Sequence, residues 1–118
     1  MSRLLLSLPF LTLSAGGVPA QDLQLLMFEQ PGCIYCARWN EEVAPEYPLT
    51  VEGMAAPLRR LQLRDPLPEG LVVVSHPVFT PTFVLVEDGV ETDRIEGYPG
   101  EDFFWPLLAG MIKDAATD

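Results

Sequence analysis

A chain of 118 residues, 48% of them apolar, is long enough for one small domain with one core. Its 17 acidic residues against 7 basic ones give a net charge of −10, which repels nucleic acid, and no basic stripe or stacking motif offsets this. Two cysteines and one distant histidine, His76, fall short of the four ligands that zinc usually takes.

Met1-Ser2-Arg3 is a short basic start, residues 4–13 are almost entirely apolar, and residues 14–20 are rich in small side chains. Val18 and Ala20 stand where a signal peptidase reads. The segment reads as a cleavable secretory signal peptide, residues 1–20, with Gln21 as the mature N-terminus. Its apolar core of about ten residues is too short for a permanent membrane span. The exported domain, residues 21–118, keeps every acidic residue and loses one basic one, Arg3. The acids gather late, at Glu87, Asp88, Glu91, Asp93, Glu96, Glu101 and Asp102 against Arg94 alone. Such a run reads as a solvated face. Its functional reading is steering towards a partner with a basic patch.

Residues 23–28 form a buried-strand candidate. They lead into Pro31-Gly32-Cys33-Ile34-Tyr35-Cys36, which holds both cysteines. A helix is predicted over 33–44, with Cys36, Trp39, Asn40 and Val43 on one face and Arg38 and Glu42 paired on another. Pro45 ends it. Two cysteines at i and i+3 in a first helical turn share a face, so their sulfurs can close a small ring. The first lies where the helix N–H groups are unpaired and the macrodipole is positive, which favours its thiolate. Cys33 is therefore the candidate nucleophile and Cys36 the residue that resolves a mixed disulfide. Two other readings stand beside this one. An inert bridge over so short a loop would be a weak staple, and metal capture would need more ligands. Outside the cytosol such a pair can either oxidise thiols or reduce disulfides, and the motif does not choose between them.

Residues 46–57 are broken by Pro48, Gly53 and Pro57 and allow a short helical piece at most. Residues 59–64 alternate as a strand does, and 65–70 form a loop. A parallel sheet would need a crossover between 65 and 80, expected to be short and irregular with at most one helical turn. His76 falls there and reads as a surface or loop residue. Thr80-Pro81-Thr82 then opens an apolar strand, where proline is tolerated, and a trans bond is its ordinary state. Asp88-Gly89 signals a hairpin turn into a charged strand over 90–95. Gly97-Tyr98-Pro99-Gly100 is a tight loop. A final helix is capped by Glu101 or Asp102, with Pro106 in its first turn. Phe103, Phe104, Leu107, Leu108, Met111 and Ile112 give that helix its apolar surface, and Trp105 fits no part of the pattern.

With Cys33-Ile34-Tyr35-Cys36 after the first strand and Thr80-Pro81-Thr82 before the third, the order of elements resembles the thioredoxin superfamily over residues 21–113. The resemblance implies an α/β, thioredoxin-like fold: a central mixed β-sheet flanked by helices, here with a shortened middle crossover. It implies that Pro81 is cis and lies against the dithiol. It also implies that substrate peptide binds in extended form along Thr80, beside Ile34 and Tyr35, and that Gly97 stands in the loop facing the active site. The redox-active disulfide Cys33–Cys36 would be the only redox group, with no metal and no other cofactor. Two departures matter. The Gly-Pro of typical thioredoxins is Ile34-Tyr35, closer to the glutaredoxin pattern. The buried aspartate six residues before the first cysteine is Met27, so its proton-relay role does not carry over. Glu29 is the nearest carboxylate, but a strand-end glutamate reads as a surface residue.

Residues 27–40, 44–50 and 94–105 look like the periplasmic thioredoxins of bacterial sulfur-oxidation (Sox) systems. That likeness implies a periplasmic reductase, and the chain is expected to be a monomer. Its substrate would be a SoxYZ-type sulfur carrier, and its electron donor a membrane thiol transporter. The alternatives are a general periplasmic oxidant or isomerase, and a non-catalytic soft-metal module holding Cu(I) on two thiolates.

Overall fold

The computed structural model describes residues 3–9 and 22–117, and the small-residue end of the expected signal peptide, with Gln21, lies outside them. Strand β1 (Leu23–Glu29) is apolar on both faces and runs through the middle of the sheet. It pairs in parallel with β2 (Leu58–Gln62) and antiparallel with β3 (Thr82–Glu87), which in turn pairs antiparallel with β4 (Val90–Glu96). The strand order is β2-β1-β3-β4, a mixed sheet.

The link from β1 to β2 is α1 (Ile34–Glu42), a 3-10 turn (Tyr47–Leu49) and α2 (Val51–Ala55). The predicted single helical piece in 46–57 is thus two short ones. With α3 (Glu101–Ala116) they cover one face of the sheet. Alternation in β1 sends Leu25 and Met27 to that face, where Trp39 packs against the rings of Tyr47, Phe83 and Phe104. Leu26 and Phe28 point to the other face, with Val84 and Val86.

Among the described residues, no helix covers that second face. The connection over residues 63–81 has no helical turn, and the expected parallel crossover is corrected. Strand β3 lies on the opposite side of β1 from β2 and runs antiparallel to it. The chain therefore leaves β2 and enters β3 at the same end of the sheet and needs no return segment. Instead it lays Leu63, Leu67, Leu71 and Val73 over the second face. Val72 bridges Val90 at the start of β4.

The β3–β4 hairpin turns at Asp88 and Gly89, both at positive φ, as its sequence predicts. A Cβ at Gly89 would also meet the Gly70 carbonyl oxygen at 2.1 Å. The cap of α3 differs from expectation. Gly100, not Glu101 or Asp102, occupies the N-cap, and its carbonyl accepts the Phe104 N–H at 2.9 Å. Glu101 and Asp102 sit in the first turn, where the macrodipole favours them. Pro106 consequently falls inside the helix, on its exposed side. Phe104, Leu108, Met111 and Ala115 form the buried stripe at spacings of four, three and four. Phe103 and Leu107, expected in it, lie off the stripe and are exposed. Trp105 finds its place by stacking on Tyr47, with ring centroids 6.0 Å apart and planes at 16°.

Candidate active site

The site is built at the end of β1. Gly32, at φ 79°, lets the chain turn sharply into α1. The Cys33 N–H donates to the Gln30 carbonyl at 3.3 Å. Cys33 is the N-cap of α1, and its Sγ accepts the Cys36 N–H at 3.1 Å. The first turn of α1 carries no acid, so nothing there offsets the positive end of the helix. Cys33 and Cys36 are joined as a disulfide, with Cα atoms 5.2 Å apart. The two sulfurs are not equivalent: Cys33 is partly exposed, while Cys36 is only 3% exposed and belongs to the core. Ile34 and Tyr35 between them are exposed apolar side chains at 74% and 55%.

The sheet register brings three further predicted residues to the same end. Phe28 pairs with Thr82, and Thr82 with Glu96, so the segments just beyond them meet where α1 begins. There the Thr80–Pro81 peptide bond is cis, as the family likeness implied. The Gly97 N–H donates to the Pro81 carbonyl at 2.7 Å. Gln30 donates its side-chain N–H to Thr80 Oγ1 at 3.0 Å. Among the described residues, neither the N–H nor the C=O of Thr80 makes a backbone hydrogen bond.

An open groove beside the disulfide is lined by Glu29, Gln30, Cys33, Ile34, Cys36 and Asn40, among others. Glu29 is not a free surface group: its carboxylate pairs with Arg60 at 2.9 Å. Arg60 also lies over the Trp39 ring, 5.8 Å from its centroid, and its Nη1 is 3.6 Å from Met27 Sδ. Met27 itself is fully buried, so a thioether fills the position where typical thioredoxins hold an aspartate. Behind α1, the Tyr98 hydroxyl donates to Glu42 at 2.5 Å and ties the loop after β4 to the helix. Burial, and then that bond and the Glu42 charge, push the Tyr98 phenol well above its ordinary pKa. The Arg38–Glu42 pair read from sequence is present at 3.7 Å.

His76 is not part of this assembly. It is exposed, its Nε2 lies 2.6 Å from the Leu63 carbonyl, and its ring meets the edge of Phe28 on the second face of the sheet. Sequence reasoning missed Gln30 and the Tyr98–Glu42 tie. Gln30 had one visible mark, its place between a strand and a Pro-Gly turn. Nothing local pointed to its partner 50 residues away.

Among the described residues, no group of three or more His, Cys, Asp or Glu is placed to hold a metal, and no helix is long and apolar enough to cross a membrane. Residues 18–112 match a family model described as a thioredoxin-like domain. The chain is also similar to the periplasmic thioredoxin SoxS from Paracoccus pantotrophus, whose crystal structure is of the reduced form. The two share 67% identity with a TM-score of 0.78, over 79% of this chain and 98% of that one. Curated protein sequences give no match. Thioredoxin-like proteins work with their own redox-active disulfide and need no cofactor. The chain belongs to the thioredoxin-like family, and with Cys33 and Cys36 joined at the head of α1 it is a thiol-disulfide oxidoreductase.

Proposed function

We propose that the chain is a periplasmic reductase of disulfides, exported after removal of residues 1–20 and active as a monomer. The observation that carries the chemistry is the asymmetry of its two sulfurs, one partly exposed at a helix N-terminus and one buried behind it. In the reduced form the Cys33 thiolate, favoured by the helix end and the Cys36 N–H, attacks one sulfur of a substrate disulfide. A Cys33–substrate bond forms, the substrate S–S bond breaks, and the second substrate sulfur leaves as a thiolate. The Cys36 thiolate then attacks Cys33 Sγ, forms the Cys33–Cys36 disulfide and expels the first substrate sulfur. Two electrons pass from the dithiol to the substrate. A dithiol donor, by family likeness a membrane thiol transporter, returns them.

The substrate lies extended along Thr80, whose free backbone N–H and C=O offer strand-like pairing, with Pro81 and Gly97 behind it and Ile34 and Tyr35 as an apolar rim. Supporting the reducing direction and the compartment is the 67% identity to a periplasmic thioredoxin. The likeness to Sox thioredoxins suggests the substrate: a SoxYZ-type sulfur carrier with its cysteine on a flexible arm, freed by this exchange from unproductive disulfides. A long, mobile arm suits a site that takes an extended segment.

A trapping experiment tests this. The Cys36→Ala variant, expressed with its leader in the native host during sulfur oxidation, keeps its partner bound to Cys33. One dominant adduct, through the arm cysteine of the carrier, is expected. A broad set of exported proteins would show a general oxidoreductase and end the carrier assignment.

A further inference from the structure

We infer that Gln30 is a positioning residue for the exchange, holding the substrate-binding segment at Thr80 in place against Cys33. This inference rests on the exchange reading above. Gln30 hydrogen-bonds to both halves of the site. Its backbone carbonyl accepts the Cys33 N–H at 3.3 Å, while its side-chain amide donates to Thr80 Oγ1 at 3.0 Å. It sits where the β1–β3 ladder has just ended, so its amide continues by side chain a pairing that the backbone no longer makes.

Thr80 needs such a tether. Val78 and Phe79 before it are exposed at 77% and 50% and add little packing. Thr82 Oγ1 donates to the Phe79 carbonyl at 2.7 Å, a bond within the segment that does not fix it to the dithiol. The Pro81 carbonyl is held from the β4 side by Gly97. Gln30 supplies the tie from the Cys33 side. With the amide in place, the distance from a substrate strand on Thr80 to the attacking sulfur is set in advance, and less order is lost on binding.

The role separates substrates by shape. A disulfide that lies along Thr80 needs the tether, whereas a small disulfide that meets only Cys33 does not. The full mature protein would be assayed on the disulfide dimer of a short cysteine peptide and on hydroxyethyl disulfide. Gln30→Met keeps the length and removes the donor. It should raise KM for the peptide dimer about fivefold, the size of one neutral hydrogen bond, with kcat little changed. Turnover of hydroxyethyl disulfide should stay within twofold of wild type. Gln30→Glu restores a bond in the opposite sense, because the Thr80 hydroxyl can donate to a carboxylate, and should recover most of the peptide KM. Equal losses on both disulfides, no loss on either, or no recovery in Gln30→Glu would each overturn the inference. Failure of the exchange reading looks different: the wild type itself would turn over neither disulfide, and the positioning role would fall with it.

Discussion

At the scale of single residues, the two cysteines differ in their surroundings, one partly exposed and one buried, and the duties proposed for them follow from that difference. Cys33→Ser should abolish disulfide reduction. Cys36→Ser should still attack and accumulate mixed disulfides, visible as adducts on non-reducing gels. Undiminished turnover by Cys33→Ser would contradict the assignment. Tyr98→Phe removes the hydroxyl that ties the loop after β4 to α1. A carboxylate partner about one-third exposed moderates the effect, so a loss of about 1 kcal/mol in urea unfolding is expected. The cysteine pair was legible in the sequence because its chemistry is local, within one helical turn. Thr80 and Pro81 became legible through family likeness. Gln30 and Tyr98 did not, because each acts on a distant partner that only the strand register and the α1 packing supply. The ion pair of Glu29, a strand-end residue as read, went unseen for the same reason, since Arg60 lies one strand away.

Among the elements, the strands were legible to within a residue or two, since alternation and apolar runs mark them directly. Helix ends were less so. The acids before α3 suggested a side-chain cap, but Gly100 at φ 97° makes the turn by backbone alone. Gly53 and its neighbours read as breakers, yet Gly53 lies inside α2. Thr50 caps that helix by accepting the Gly53 N–H at 3.0 Å, while its hydroxyl donates to the Tyr47 carbonyl at 2.7 Å. This packing leaves no room for a side chain at Gly53, where a Cβ would lie 1.7 Å from the Tyr47 carbonyl oxygen. Gly53→Ala gains helix propensity of up to about 1 kcal/mol. The clash is with backbone and should outweigh it, for a net loss of about 1–3 kcal/mol by denaturant unfolding. A variant as stable as the wild type would show that the turn before α2 shifts freely. The crossover over the second face was foreseen as short and irregular. Its actual direction depends on which side of β1 receives β3, and no local pattern encodes that.

For the molecule as a whole, the late acidic run read as a solvated face, but one acid in it is not a solvated group. Glu91 binds Arg94 through both carboxylate oxygens, at 2.6 and 2.7 Å, and accepts the Val74 N–H at 3.0 Å, while Arg94 donates to the Ser75 carbonyl at 2.8 Å. The pair pins the crossover to β4. Burial alone would raise the Glu91 carboxyl, but the bonds from Arg94 and Val74 and the Arg94 charge together hold it below its ordinary value of 4.5. A carboxyl lowered on folding stabilises fully above its unfolded pKa, and that stabilisation is lost as pH falls through the folded value. Glu91→Gln should therefore be less stable than wild type at pH 7. The gap should narrow on acidification below about 4.5, followed by urea midpoints across pH. A gap constant with pH would contradict the clamp.

The direction of electron flow is the central claim, and the reduction potential of Cys33–Cys36, equilibrated against thiol buffers, tests it most directly. A reductase should lie near about −270 mV, in the range of reducing thioredoxins. A value near about −120 mV, that of a strong periplasmic oxidant, would contradict the account.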